Sequence, residues 1–177
     1  MAAKWTDFVS GAVLTAAQLN DVLDNFQDIA IFNETQAANT GGGSFTAGSF
    51  VKRTLNTTVI NNIGATLSSS VITLLAGTYY VYATAPATDV NRHKIKLRNT
   101  SDSTDTLIGI SCSAANNISA TLSTNAVLQG TFTIAASKNF ELQHRCEVTN
   151  GTGSGLGVAS NFGVSEIYST IQIVRIA

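Results

Sequence analysis

A chain of 177 residues with 44% hydrophobic positions is long enough to bury one domain-sized core. Charged residues make up 12% and the formal net charge is −1, which argues against a disordered chain and against a free polyanion-binding tail. Ser, Thr and Asn fill 55 positions, against 14 Gly and a single Pro. No run reaches the ~18 apolar residues of a membrane span. Met1–Asp7 lacks a signal peptide's apolar stretch, so the chain is expected to fold in a cytoplasm without inserting in a membrane. Cys112 and Cys146, 34 positions apart, form neither a disulfide framework nor a zinc site and are expected to stay reduced.

Charge divides the chain. Residues 1–38 hold one Lys and five acids, whereas residues 39–177 hold nine bases and six acids. The periodicity changes at the same place. Trp5 and Phe8 stand ahead of Thr15-Ala16-Ala17-Gln18, which has the form of a capping box. Leu19, Val22, Phe26 and Ile29 follow at helical spacing, predicting one apolar stripe on a helix of about 18 residues. An isolated helix of this length is marginal in water. Together with Trp5 and Phe8, the stripe is therefore expected to contact a larger particle or copies of itself, with docking on the chain's own β domain as the alternative. Asn39–Ser44 breaks the helix with three successive glycines. The expected organisation is an attachment segment over 1–40, a Gly-rich linker over 41–49 and a β domain over 50–177.

Beyond residue 50 the period is two. Thr78–Ala85, Thr106–Ser113, Ala126–Ala135, Phe140–Val148 and Glu166–Ile176 each alternate, with polar turns between them and no second helical stripe. Inward positions include Ile108, Ile110, Cys112, Leu128, Phe132, His144, Ile167, Ile171 and Ile173. Eight to ten short strands without helices predict an antiparallel jelly-roll sandwich. Tyr80 and Tyr82, with Tyr168, Val174 and Ile176, point away from that core. Strands apolar on both faces are normally covered on both faces, so these five are expected to line an interface, which the resemblance given below makes one between three copies.

Catalytic chemistry has little to work with. His144 and Cys146 share one strand face without a third, orienting group, so His144 is expected to be a core histidine. Gly151–Gly157 fits neither phosphate-loop spacing and has no helix after it, so a flexible connection is expected. Asp102 and Asp105 fall short of a calcium-loop pattern. No enzyme activity, metal or cofactor is expected. The sharpest charge feature is Arg92, Lys94, Lys96 and Arg98, which alternate with His93, Ile95 and Leu97. This puts four cations on one strand face about 6.8 Å apart. It is either a solvated outer face or a stripe for an anionic partner. With no aromatic interleaved in it, the stripe is not suited to nucleic acid, and host-surface glycan is a weaker candidate than a protein partner.

Trp5–Asn20, with its Leu14-Thr15-Ala16-Ala17-Gln18-Leu19-Asn20 core, resembles the N-terminal segment of many tailed-phage virion proteins. The rest of the chain resembles the trimeric jelly roll of the C1q and tumour-necrosis-factor type. That likeness rests on Ala76–Ala83, with its Gly77-Thr78-Tyr79 strand opening, and on the apolar closing strand Tyr168–Ile176. Together they imply a homotrimeric virion appendage, a fibre or a capsid decoration, held to other virion proteins by its N-terminal segment. A lectin-like, receptor-binding tail-fibre tip that recognises host glycan is the alternative.

Overall fold

A computed structural model describes residues 28–116 and 121–176, and Gly11, Val13, Thr15, Ala16, Leu19 and Asn20. The described residues form twelve strands, and Ala16, Leu19 and Asn20 are helical, with Leu19 N–H donating to Thr15 O at 3.1 Å. In chain order these begin with β1 (Ile29–Gln36), β2 (Val51–Lys52), β3 (Thr57–Asn61), β4 (Thr66–Ser68), β5 (Val71–Leu74) and β6 (Gly77–Thr88). They continue with β7 (Asn91–Asn99), β8 (Thr104–Ile108), β9 (Cys112–Ala114), β10 (Ser123–Ile134), β11 (Lys138–Cys146) and β12 (Glu166–Arg175). One sheet has the order β10-β6-β12-β1-β3. The other has the order β4-β5-β11-β7-β8, with β2 added to β11 and β9 to β7. Every pairing is antiparallel.

The core lies between the sheets. Ala30, Phe32, Tyr79, Val81, Ala83, Leu128, Ile171 and Ile173 come from the first sheet, and Ile72, Leu74, Ile95, Leu97, Phe140 and Leu142 from the second. Each is at most 1% exposed. Burying a large apolar side chain contributes roughly 1.5–3 kcal/mol, so this layer fixes which parity of each strand faces inward.

Ile29 does not close a helical stripe: it opens β1, which lies between β12 and β3. Helical spacing and strand alternation both fit a dense apolar run such as Ile29–Phe32. Pairing on both edges decides for the strand. The N-terminal boundary at residue 40 therefore moves, because the β domain includes residues 29–36. Trp5, Phe8, Val22 and Phe26 lie outside the described residues, and Leu19 is 51% exposed.

The expected linker is a packed segment as well. Gly42 N–H donates to Gly157 O and Gly43 N–H to Gly153 O, while Phe45 is fully buried and bridges to Asn150. A Cβ on Gly41 would sit 2.5 Å from Gly153 O, and one on Gly42 2.8 Å from Leu156 O. These glycines allow two backbones to touch, so neither 41–45 nor 151–157 is a free connection.

Three inward assignments also fail. Ile108, Ile110 and Ile167 are 56%, 62% and 58% exposed. Gly109 interrupts the alternation: its N–H bonds to Ile95 O and the next N–H to Val127 O, one in each sheet. The chain leaves β8 there and re-enters as β9. At Ile167 the β1–β12 register shifts between Asn33 and Thr35, which turns the first residues of β12 out of phase.

Candidate functional site

Strand register assembles an apolar band on the outer face of the first sheet. Ile29 pairs with Val174, Val174 with Tyr80, and Tyr80 with Thr131. The neighbouring row runs Ile60, Ile31, Gln172, Tyr82 and Gln129. Registered partners share a face, and this face is opposite to Phe32, Val81 and Ile171. Tyr82 is 39% and Ile176 43% exposed, and Ile29, Ile31, Ile60, Tyr80 and Val174 are half-buried. The structure thus brings together Tyr80, Tyr82, Val174 and Ile176 and adds three isoleucines. Tyr168 does not join them. Its ring lies against Gly157 and its hydroxyl donates to Thr40 O at 2.7 Å, so it is used within its own protomer. Ile31 was discoverable, because Ile29–Phe32 is apolar at every position, as Tyr79–Tyr82 is.

The basic strand β7 lies in the other sheet, and most of its charge is answered locally. Arg92 is forked onto Glu147, with Nε to Oε2 at 2.8 Å, and this holds the Glu147 carboxyl down to about 2. Lys96 and Arg98 both reach Asp105 Oδ1, at 2.8 and 2.9 Å. Lys96 is buried over the Phe50 ring, 4.1 Å from its centre. Four freely projecting cations are therefore not what the strand presents. Lys94 is different: its cross-strand partner on β11 is Arg145, and neither makes an ion pair among the described residues. Above them is a cleft of about 520 Å³, walled by Phe50 and Ser111. Phe50 arrives from the segment before β2. An aromatic does stand beside the stripe, contributed from a distance of more than forty positions in sequence and so invisible to strand periodicity.

Between the sheets, at one end of the core, lies a polar network. Arg53 and Glu34 are fully buried and paired, Nε to Oε2 at 2.8 Å, and Arg53 also donates to Pro86 O and Leu156 O. Burial pulls the Arg53 guanidinium down, and Glu34 opposes that shift. Ala85 and Ala87 belong to the strand beside it and leave room for long polar side chains. His93 Nδ1 is 2.9 Å from His144 Nε2, and His93 Nε2 is 2.8 Å from Thr124 Oγ1. Burial, then the Arg53 charge, lowers His93 to about 4 and His144 well below its ordinary value. Both rings are neutral at neutral pH. Burial also raises the Cys146 thiol, the reverse of what a nucleophile needs.

The two cysteines register with His93 from its two opposite sides, which puts their Cα atoms about 9.6 Å apart, two strand spacings. A disulfide needs less than about 7 Å. Both are free. Asp102 is held by Lys138 and Asn99, and Asp105 by Lys96 and Arg98. Cations thus occupy the positions a calcium ion would need. No group of three His, Cys, Asp or Glu among the described residues is placed to hold a metal.

No protein-family profile matches the sequence, and no curated protein matches it. Solved structures do match in shape. The globular domain of zebrafish complement 1qA protein is 13% identical with a TM-score of 0.50, over 84% of this chain and 97% of that one. Murine APRIL, at pH 8.0, is 9% identical with a TM-score of 0.52, over 84% and 99%. At such identities the likeness speaks for the fold: this chain has a jelly roll similar to that of the C1q globular head and of the tumour-necrosis-factor type.

Proposed function

We propose that the protein is a homotrimeric surface appendage of a tailed-phage virion, a fibre or capsid decoration. In this proposal the β domain is the exposed head and the segment before β1 is the attachment device. The observation that carries it is the apolar band of Ile29, Ile31, Ile60, Tyr80, Tyr82 and Val174 on the outer side of a sheet whose inner side is already the core. Closing a ring of three requires a heterologous contact, face to edge. Ile108 and Ile110, exposed beside the edge strand of the other sheet, supply the second surface. The virion assignment rests on the resemblance of Trp5–Asn20 to phage attachment segments. A receptor-binding tip is the second reading, favoured by the cationic cleft at Lys94.

Light scattering on the full chain is expected to give about three times 18.5 kDa. A Tyr80→Lys/Val174→Lys variant is expected to give a folded monomer. A monomeric wild-type protein at micromolar concentration refutes the trimer. Deleting residues 1–27 spares every strand among the described residues, so the truncated chain should remain a folded trimer yet be absent from purified virions. Normal incorporation of that truncation refutes the attachment role.

A further inference from the structure

We propose that the cleft over β7 and β11 binds an acidic saccharide, with a carboxylate or sulfate group seated between Lys94 and Arg145. This deepens the receptor-binding reading and is independent of trimer formation and of virion attachment.

The argument begins with an imbalance. Like charges directly opposite each other across an antiparallel pair are destabilising. Every other cation of the β7 stripe has an acid in contact: Arg92 has Glu147, and Lys96 and Arg98 share Asp105. Lys94 faces Arg145, and both line the same cleft. Two cations that line one concavity, neither in an ion pair among the described residues, form a seat for an oxyanion. The guanidinium provides a planar donor fork that fits carboxylate or sulfate, and the ammonium adds a point charge.

The walls specify what carries the anion. The cleft volume, about 520 Å³, falls in the range of small-ligand sites. Phe50 gives one apolar aromatic wall, suited to the C–H face of a pyranose, and is fixed from one side by Lys96 at 4.1 Å. Ser111, an exposed residue, also lines the cleft and adds a hydroxyl-bearing side chain to it. Glu147 is already committed to Arg92, so it repels an incoming acid less than a free carboxylate does. A nucleic acid needs successive stacking platforms, and of the rings that line the cleft, Phe50 and His93, the second is buried.

The test is saturation-transfer NMR on the full-length protein in about 0.15 M salt, with glucuronic acid as the probe, glucose as the neutral control and sodium sulfate as competitor. The expected result is saturation of glucuronate but not glucose, with sulfate displacing it only in at least tenfold excess. Lys94→Gln and Arg145→Gln should each weaken binding at least tenfold. Each should also raise the melting temperature in low salt, because like-charge repulsion is relieved; this separates lost binding from lost folding. Equal signals from glucose and glucuronate overturn the proposal, as does undiminished binding in the double variant. Displacement by equimolar sulfate also overturns it, since that result describes an anion site without saccharide recognition.

Discussion

Acid should destabilise this protein well before its carboxylates titrate, and the cause is the His93–His144 pair. In the unfolded chain a histidine takes up its proton near pH 6.5. In the folded chain His93 does so only near 4, because burial and the Arg53 charge oppose it. Between those values the unfolded state binds more protons, so stability is complete above about pH 6.5 and falls as the pH drops. For His93 alone the loss between about pH 7.5 and about pH 5 is about 2 kcal/mol, approaching about 3 kcal/mol below its folded value. His144 shifts in the same direction from the same causes and increases the loss. The groups around the pair are Arg53, Thr124 and the Phe45 ring, and none of these gains charge in this window. The depressed carboxyls of Asp102, Asp105, Glu147 and Glu166 add their own acid losses only below about pH 4.5, where ordinary carboxylates begin to protonate. The assay is urea unfolding at several pH values and one fixed protein concentration, since the proposed trimer would make apparent stability concentration-dependent. A His93→Gln variant should lose about half of the pH slope. Stability that stays flat between about pH 7.5 and about pH 5 would refute the reasoning.

Three further outcomes follow from the packing. Glu34→Gln should destabilise by about 3–5 kcal/mol, because it leaves Arg53 charged and uncompensated in the core; a paired Arg53→Met/Glu34→Leu variant should cost clearly less, and the reverse order in urea unfolding would contradict this. Gly157→Ala should destabilise by more than about 2 kcal/mol, since the residue sits at φ +144° and its Cβ would collide with the Tyr168 ring; an unchanged melting temperature would show that Tyr168 moves freely. The thiols of Cys112 and Cys146 should leave the melting temperature insensitive to reductant and react with a thiol reagent much faster after unfolding, Cys146 being 3% exposed; a shift of several degrees on reduction would point to a disulfide.

The sequence by itself determined the fold class, because strict alternation in Phe140–Cys146 admits no other period, and a layered sandwich is the ordinary way to bury so many one-faced strands. Tyr80, Tyr82 and Val174 could be singled out for the same reason, since a strand apolar on both sides implies two coverings. Tertiary structure decided everything that depends on which strands become neighbours. Ile29–Gln36 is a strand because β12 and β3 bond both its edges, whereas local spacing fits a helix equally well. The glycines at 41–43 are close-contact residues because 153–157 lies against them, a partner more than a hundred positions away. The cationic stripe is largely neutralised because Asp105 and Glu147 stand on adjoining segments, and the juxtaposition of Lys94 with Arg145, neither in an ion pair among the described residues, exists only through β7–β11 register. Periodicity is a property of one strand and survives in the sequence. Charge balance, close backbone contact and clefts are properties of two or more strands, and only their pairing creates them.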